Sequence, residues 1–411
     1  MLDRVLYVWL TRSAPVSGKL IRWLISPHSV EHSMISLGAS ASGTSALGSA
    51  SIPLTQEETV NRVARKTSRL PFLDFLRAVA SQLIVWHHLS FYGPLAEFAY
   101  PAAPVLLDWL ARYARMAVQV FFVLGGFFTA HSLSRSKVLN VKSVASSIWL
   151  RYRRIGIPYL AALTVAIFAN ALARRWMDHE AISSSPTFGQ LLAHAAFLHD
   201  ILGYQALTAG IWYLAIDFQL FLLTLGLFWA TQSWLRRRGE CTNQDAIRLL
   251  LRCLAPLALA SLFWFNRHPK YDAWAIYFVG TYFLGFVLHE LLERRLTVTW
   301  AGAYWGLVIV AAIIDPRPRL LVAAATTLIV YMAARSGVIS RWPKSAVVNY
   351  FGRISYSLFL IHFPVLLVIN AWGAERLTTS THMAVFGLTL AYVLSLIAGI
   401  LLYHGVEKRI R

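Results

Sequence analysis

The chain has 411 residues, of which 57% are hydrophobic, 13% aromatic and 14% charged, and its mean hydropathy is +0.55. A soluble domain carries about 25% charged residues, so this composition excludes a soluble globular protein, a disordered chain and a disulfide scaffold, and leaves a polytopic all-α membrane protein. Lysine and arginine number 38 against 19 aspartates and glutamates, a net charge of +19, which in a membrane chain reads as basic cytoplasmic loops facing anionic headgroups rather than as nucleic-acid binding.

Residues 1–60 stand apart as a cytoplasmic N-terminal extension. Residues 1–25 mix apolar positions with Arg4, Arg12, Lys19 and Arg22, the pattern of a short amphipathic surface helix. The apolar run over residues 5–10 is too short to span a bilayer or to serve as a secretory core. Residues 33–51 are rich in Ser, Ala and Gly and read as a flexible linker.

Residues 61–411 form the transmembrane domain. A spanning helix needs about 20 apolar residues. Ten stretches qualify: 72–92, 113–133, 155–173, 210–234, 247–265, 273–292, 298–314, 319–334, 353–373 and 383–404. The seventh and eighth are short, and Pro316 and Pro318 force a tight turn between them. Residues 187–207 have amphipathic spacing and are expected to lie on the membrane. With the N-terminus inside, cytoplasmic segments carry 23 basic residues, among them Arg62, Arg135, Lys142, Arg236 and Arg335. Outer segments carry nine, among them Arg112, Arg174, Arg267 and Arg317. This asymmetry favours ten spans with both termini in the cytoplasm. Cys241 and Cys253 form no CxxC or zinc-like pattern, so neither a disulfide nor thiol catalysis is expected.

An ionisable residue inside a membrane is costly and marks function by default. The first span holds Asp74, Arg77, His87 and His88. Arg77 and His88 are eleven residues apart, which returns both to one helix face and separates them by about 16 Å along the axis. Asp74 lies one turn before Arg77 and can pair with it. The cluster reads as a polar track with a cation near the cytoplasmic end and a base near the outer end. The plainer reading is an interfacial ion pair with His88 snorkelling outward.

These residues also carry a resemblance. Leu73-Asp74-Phe75-Leu76-Arg77 followed by His88 resembles the "LD-x-LR-x10-H" signature of the acyltransferase family 3 membrane proteins. Phe121-Phe122-Val123-Leu124-Gly125-Gly126-Phe127 resembles the family's "FFVLSGF", with Gly125 for Ser. Arg151-Tyr152-Arg153-Arg154-Ile155-Gly156-Ile157-Pro158-Tyr159 resembles "R-x-x-R-I-x-P-x-Y", with the Arg-to-Pro spacing one residue longer. Trp212-Tyr213-Leu214 with Asp217 resembles "W-x-L-x-x-E-x-x-F-Y", with Asp for Glu and Leu220-Phe221 for Phe-Tyr. Gly352-Arg353-Ile354-Ser355-Tyr356-Ser357-Leu358-Phe359-Leu360-Ile361-His362 resembles "G-x-ISYS-x-YLIH". The five motifs stand in order over residues 70–411. The extra hydrolase-like domain of some members is not expected after the tenth span.

The resemblance implies transfer of an acyl group, usually acetyl, from cytoplasmic acyl-CoA to a hydroxyl of a carbohydrate or lipid-linked glycan, often at the outer face of a bacterial inner membrane. His88 is then the candidate general base, with a transient acyl-histidine as the other route. Arg77, held by Asp74, is expected to bind a CoA phosphate or pantetheine carbonyl. Arg151, Arg153 and Arg154 form a basic cluster for topology, lipid contact or CoA phosphate. Gly125 and Gly126 allow close approach of the donor or of a neighbouring helix. Trp212, Asp217 and His362 are candidate acceptor contacts, with Asp217 able instead to orient a histidine. Trp212 also fits an interfacial belt, and His362 fits an interhelical hydrogen bond. His194 and His199 are spaced poorly for a metal, and no metal is expected. The competing reading is a transporter or flippase with Asp74, Arg77 and His88 along its substrate path.

Overall fold

The computed structural model describes residues 70–239 and 242–410. The extension expected over residues 1–60, and Cys241, lie outside them. Among the described residues all regular structure is helical. The helices are α1 (Pro71–Leu89), α2 (Pro104–Tyr113), α3 (Val118–Ser134), α4 (Val141–Ala173), α5 (Phe188–Ala195), α6 (Trp212–Arg237), α7 (Asn243–Phe263), α8 (Ala275–Leu292), α9 (Val298–Ile314), α10 (Pro318–Arg335), α11 (Ala346–Gly373) and α12 (Thr381–Leu402), with shorter turns between some of them.

Local chemistry sets the starts. Prolines open α1, α2 and α10, where the missing N–H forfeits no helical bond. Thr242, Thr297, Ser345 and Ser380 each accept a backbone N–H in the first turn of the helix they precede. Asn140 and Ser143 close a reciprocal capping box at α4.

Each of the ten expected spans falls on a helix. Among the described residues, eight helical stretches are long and apolar enough to cross a membrane. The 19-residue α1, which carries the four ionisable residues, falls outside those eight, and α9 is apolar but has 17 residues. Large apolar side chains such as Phe168, Trp300, Ile313, Met332 and Leu401 are exposed on the outside of the bundle, as a lipid-facing surface requires.

Two expectations are corrected. The third span begins at Val141, not near residue 155, and its 33 residues extend about 50 Å. Arg151 is therefore ten residues inside a helix rather than in a loop before it. Residues 187–207 do not form a helix lying on the membrane. Only Phe188–Ala195 is helical, and Ala193, His194, Phe197, His199 and Leu207 are buried. The Tyr152 hydroxyl donates to the Ala195 carbonyl, and the Asn170 amide donates to that of Leu207. The segment thus packs along α4 over a stretch of about 27 Å.

Helix α11 is the hub, packed against α1, α4 and α12. At Gly352 it meets α1 so closely that a Cβ would stand 2.5 Å from the Asp74 carbonyl oxygen. Helices α3 and α8 meet through paired glycines. A Cβ on Gly126 would lie 1.9 Å from the Tyr282 carbonyl oxygen, and one on Gly285 would lie 1.8 Å from that of Val123. Small residues thus let the backbones touch.

Candidate active site

The close α1–α11 contact brings two histidines together in the interior. His88 Nδ1 lies 2.7 Å from His362 Nε2, and His362 Nδ1 lies 3.1 Å from the Leu358 carbonyl oxygen one turn earlier. Both rings are buried, at 7% and 1% exposure. Tyr92 and Phe363 border the His88 ring. A Cβ on Gly210, whose φ is +82°, would come 3.8 Å from His88 Cε1. That glycine therefore brings the backbone just before α6 up to the imidazole. His87 turns away, with Nδ1 3.1 Å from the Leu110 carbonyl oxygen of α2.

The second cluster lies where α4 and α6 meet. Arg151 donates to Asp217 Oδ2 at 2.6 Å and covers the Phe221 ring at 5.1 Å. Asp217 Oδ1 and Arg151 Nε are buried and carry no hydrogen bond. Gly125 faces Oδ1, where a Cβ would intrude to 2.9 Å. Tyr213 lies one helical turn before Asp217 on α6. The Tyr282 hydroxyl donates to Thr129 Oγ1 at 2.6 Å. A chain of rings connects the two clusters: Tyr213 packs on Phe359, and Phe359 packs on His362. Asp74 and Arg77 pair at 3.8 Å.

The structure therefore sorts the candidates. It brings Arg151, Asp217 and Gly125 together, and it joins His88 to His362. The expected cluster of three arginines is divided: Arg151 is bonded inside the bundle, while Arg153 and Arg154 are exposed. Gly126 belongs to the α3–α8 contact and does not face the polar cluster. Trp212 stacks on Phe278 with its residue 38% exposed. Sequence reasoning missed the His88–His362 bond, the Arg151–Asp217 bond and the approach of Gly210 to His88. The partners are 274 and 66 residues apart, and spacing carries no signal over such separations.

A further polar group sits in the segment along α4. His194 and His199 stack at 4.1 Å. The Tyr159 hydroxyl is 2.9 Å from His194 Nδ1, and His199 Nε2 is 3.4 Å from Asp200 Oδ2. Phe197 between them is buried with φ at 58°, a left-handed conformation that costs energy in a non-glycine residue. Burial pushes His194 down to about 4 and His199 to about 3, and it raises Asp200 to about 6.

A family model described as an acyltransferase domain matches residues 70–404. The glucans biosynthesis protein C of Salmonella schwarzengrund is 22% identical over 364 residues, spanning 79% of this chain and 90% of that protein. No solved structure matches the chain.

Proposed function

Because this chain belongs to the acyltransferase-3 family, we propose that it is a membrane O-acyltransferase that moves an acetyl group from acyl-CoA to a hydroxyl of a carbohydrate or lipid-linked glycan. The observation that carries the reading is the buried His88–His362 pair at the end of the Arg77-to-His88 track. No described residue bonds His88 Nε2. That nitrogen is suited to take the proton of an acceptor hydroxyl as its oxygen attacks the thioester carbonyl. The carbon–sulfur bond then breaks, and the same proton passes from Nε2 to the departing thiolate.

The donor enters from the Arg77 end. Arg77, braced by Asp74, contacts a phosphate or pantetheine carbonyl, and the exposed Arg153 and Arg154 add phosphate contacts. The rise of about 16 Å from Arg77 to His88 suits an extended pantetheine arm. Asp217, with one oxygen unbonded, suits a polar group of donor or acceptor. The name of the Salmonella relative favours a sugar hydroxyl as acceptor.

The membrane is a bacterial cytoplasmic membrane, crossed ten times with both termini and the residue 1–60 extension inside. Helices α8 and α10 support this count. Arg319 bonds Tyr277 near their starts, and Val330 and Ala333 pack with Leu288 near their ends. The two helices run parallel, so the chain returns across the bundle through α9, whose 17 residues rise about 25 Å.

The test is acetyl-CoA binding and turnover by the purified chain in nanodiscs. His88→Ala is expected to lower turnover by about 10²–10⁴-fold while binding persists, and Arg77→Ala to weaken binding. Folded wild-type protein that binds no acyl-CoA would overturn the enzyme and favour transport.

A further inference from the structure

We propose that His362 is a positioning residue that fixes which ring nitrogen of His88 is free to accept a proton; this rests on the acyl-transfer reading above. The argument follows hydrogen-bond polarity. A carbonyl oxygen only accepts, so the 3.1 Å contact to Leu358 places a hydrogen on His362 Nδ1. A neutral imidazole carries one N–H, so His362 Nε2 presents a lone pair. The 2.7 Å contact between His362 Nε2 and His88 Nδ1 then needs a hydrogen on His88 Nδ1. With the opposite tautomer of His88, two lone pairs would face each other at that distance. The lone pair of His88 is therefore on Nε2, the nitrogen that no described residue bonds.

The partner is held for this role. The two ring planes are 17° apart, and the 5.0 Å between ring centroids exceeds the 2.7 Å nitrogen contact by about two ring radii, so the imidazoles meet nitrogen to nitrogen rather than face to face, along the direction in which the lone pairs point. Ser395 of α12 donates to the His362 carbonyl oxygen at 3.3 Å, tying that stretch of α11 in place. No carboxylate hydrogen-bonds either ring among the described residues. The titratable groups facing the pair are His87, at 5.1 Å from His88 between ring centroids, and Tyr92, at 5.5 Å. Arg115 acts on His87 from the turn after α2. When His88 takes the acceptor's proton on Nε2, its Nδ1–H still points at a lone pair, and His362 stabilises the imidazolium without touching substrate. This is the orienting role that a carboxylate plays in a serine hydrolase triad, filled here by a neutral imidazole in an apolar interior.

The experiment compares the full chain in nanodiscs as wild type, His362→Gln and His362→Leu. Gln places an amide oxygen near the position of Nε2 and still accepts from His88 Nδ1–H; Leu cannot. Two readouts are taken: kcat and KM for acetyl-CoA, and ¹⁵N spectra of histidine-labelled protein with His88 assigned by difference from His88→Ala. The expected result is that Leu lowers kcat about 100-fold with KM little changed, and that Gln recovers about tenfold or more. The spectra should show Nδ1-protonated His88 in wild type and Gln, and a mixed tautomer in Leu. Equal kcat in the Gln and Leu variants, or Nδ1-protonated His88 retained in Leu, would overturn the proposal. If wild type turns over no acetyl-CoA, the acyl-transfer reading fails, and the spectra alone decide the tautomer.

Discussion

Asp200 is a carboxylate with a buried oxygen that no hydrogen bond reaches. Burial, reinforced by Asp272, raises its folded pKa to about 6 from 3.8. A raised carboxylate pKa means the folded state holds the proton more tightly than the unfolded chain. The stability Asp200 contributes is present below about 3.8 and lost as pH rises through about 6. Asp200→Asn removes the ionisation. It should raise the thermal midpoint above pH 6, with the gain fading as pH falls toward 4, read by thermal unfolding of the purified protein across pH. His199 works in the opposite sense. Its folded pKa of about 3 withholds stability as pH falls below 6.5. A midpoint gain for Asp200→Asn that grows toward acid would contradict the assignment.

At the scale of elements, glycines divide into those that carry a contact and those that do not. Gly126 and Gly285 leave no space for a methyl group, because the intruding neighbour is backbone and cannot swing aside. Gly302 on α9 has nothing within 4 Å of where its Cβ would stand. Gly126→Ala and Gly285→Ala are therefore expected to destabilise by about 1–3 kcal/mol through overpacking. Gly302→Ala should be neutral or stabilising by up to about 1 kcal/mol, from helix propensity. Thermal unfolding in one detergent separates the two classes. Equal midpoints for Gly126→Ala and Gly302→Ala would refute the close α3–α8 contact. The same packing logic explains the glycine of the Gly352 motif, whose missing side chain lets α11 approach Asp74 and so sets the register in which His362 reaches His88.

For the molecule as a whole, the ten crossings proposed above require α9 to cross the membrane between the parallel helices α8 and α10. In a background with Cys241 and Cys253 replaced by Ser, single cysteines at Arg295 and at the exposed Pro316 should react with an impermeant maleimide from opposite sides of sealed vesicles. Labelling from one side would remove α9 from the spans and break the alternation that places both termini together. The exposed apolar side chains on α9, α10 and α12 are the lipid-facing surface that such a path requires.

Sequence alone determined that the chain is helical and membrane-embedded, where ten helices fall, and which residues resemble the acyltransferase motifs. Those properties are local: apolar run length, capping residues and motif spacing are read over about 20 residues at a time. Tertiary structure decided the rest. It placed Arg151 on Asp217 rather than beside Arg153 and Arg154, turned His87 to Leu110 and His88 to His362, assigned Gly126 to a helix contact, and packed residues 187–207 along α4. The physical reason is that a helix apolar on all sides carries little amphipathic signal to say which face meets which neighbour. In a bilayer that choice rests on small residues and a few polar bonds, whose partners lie far away along the chain.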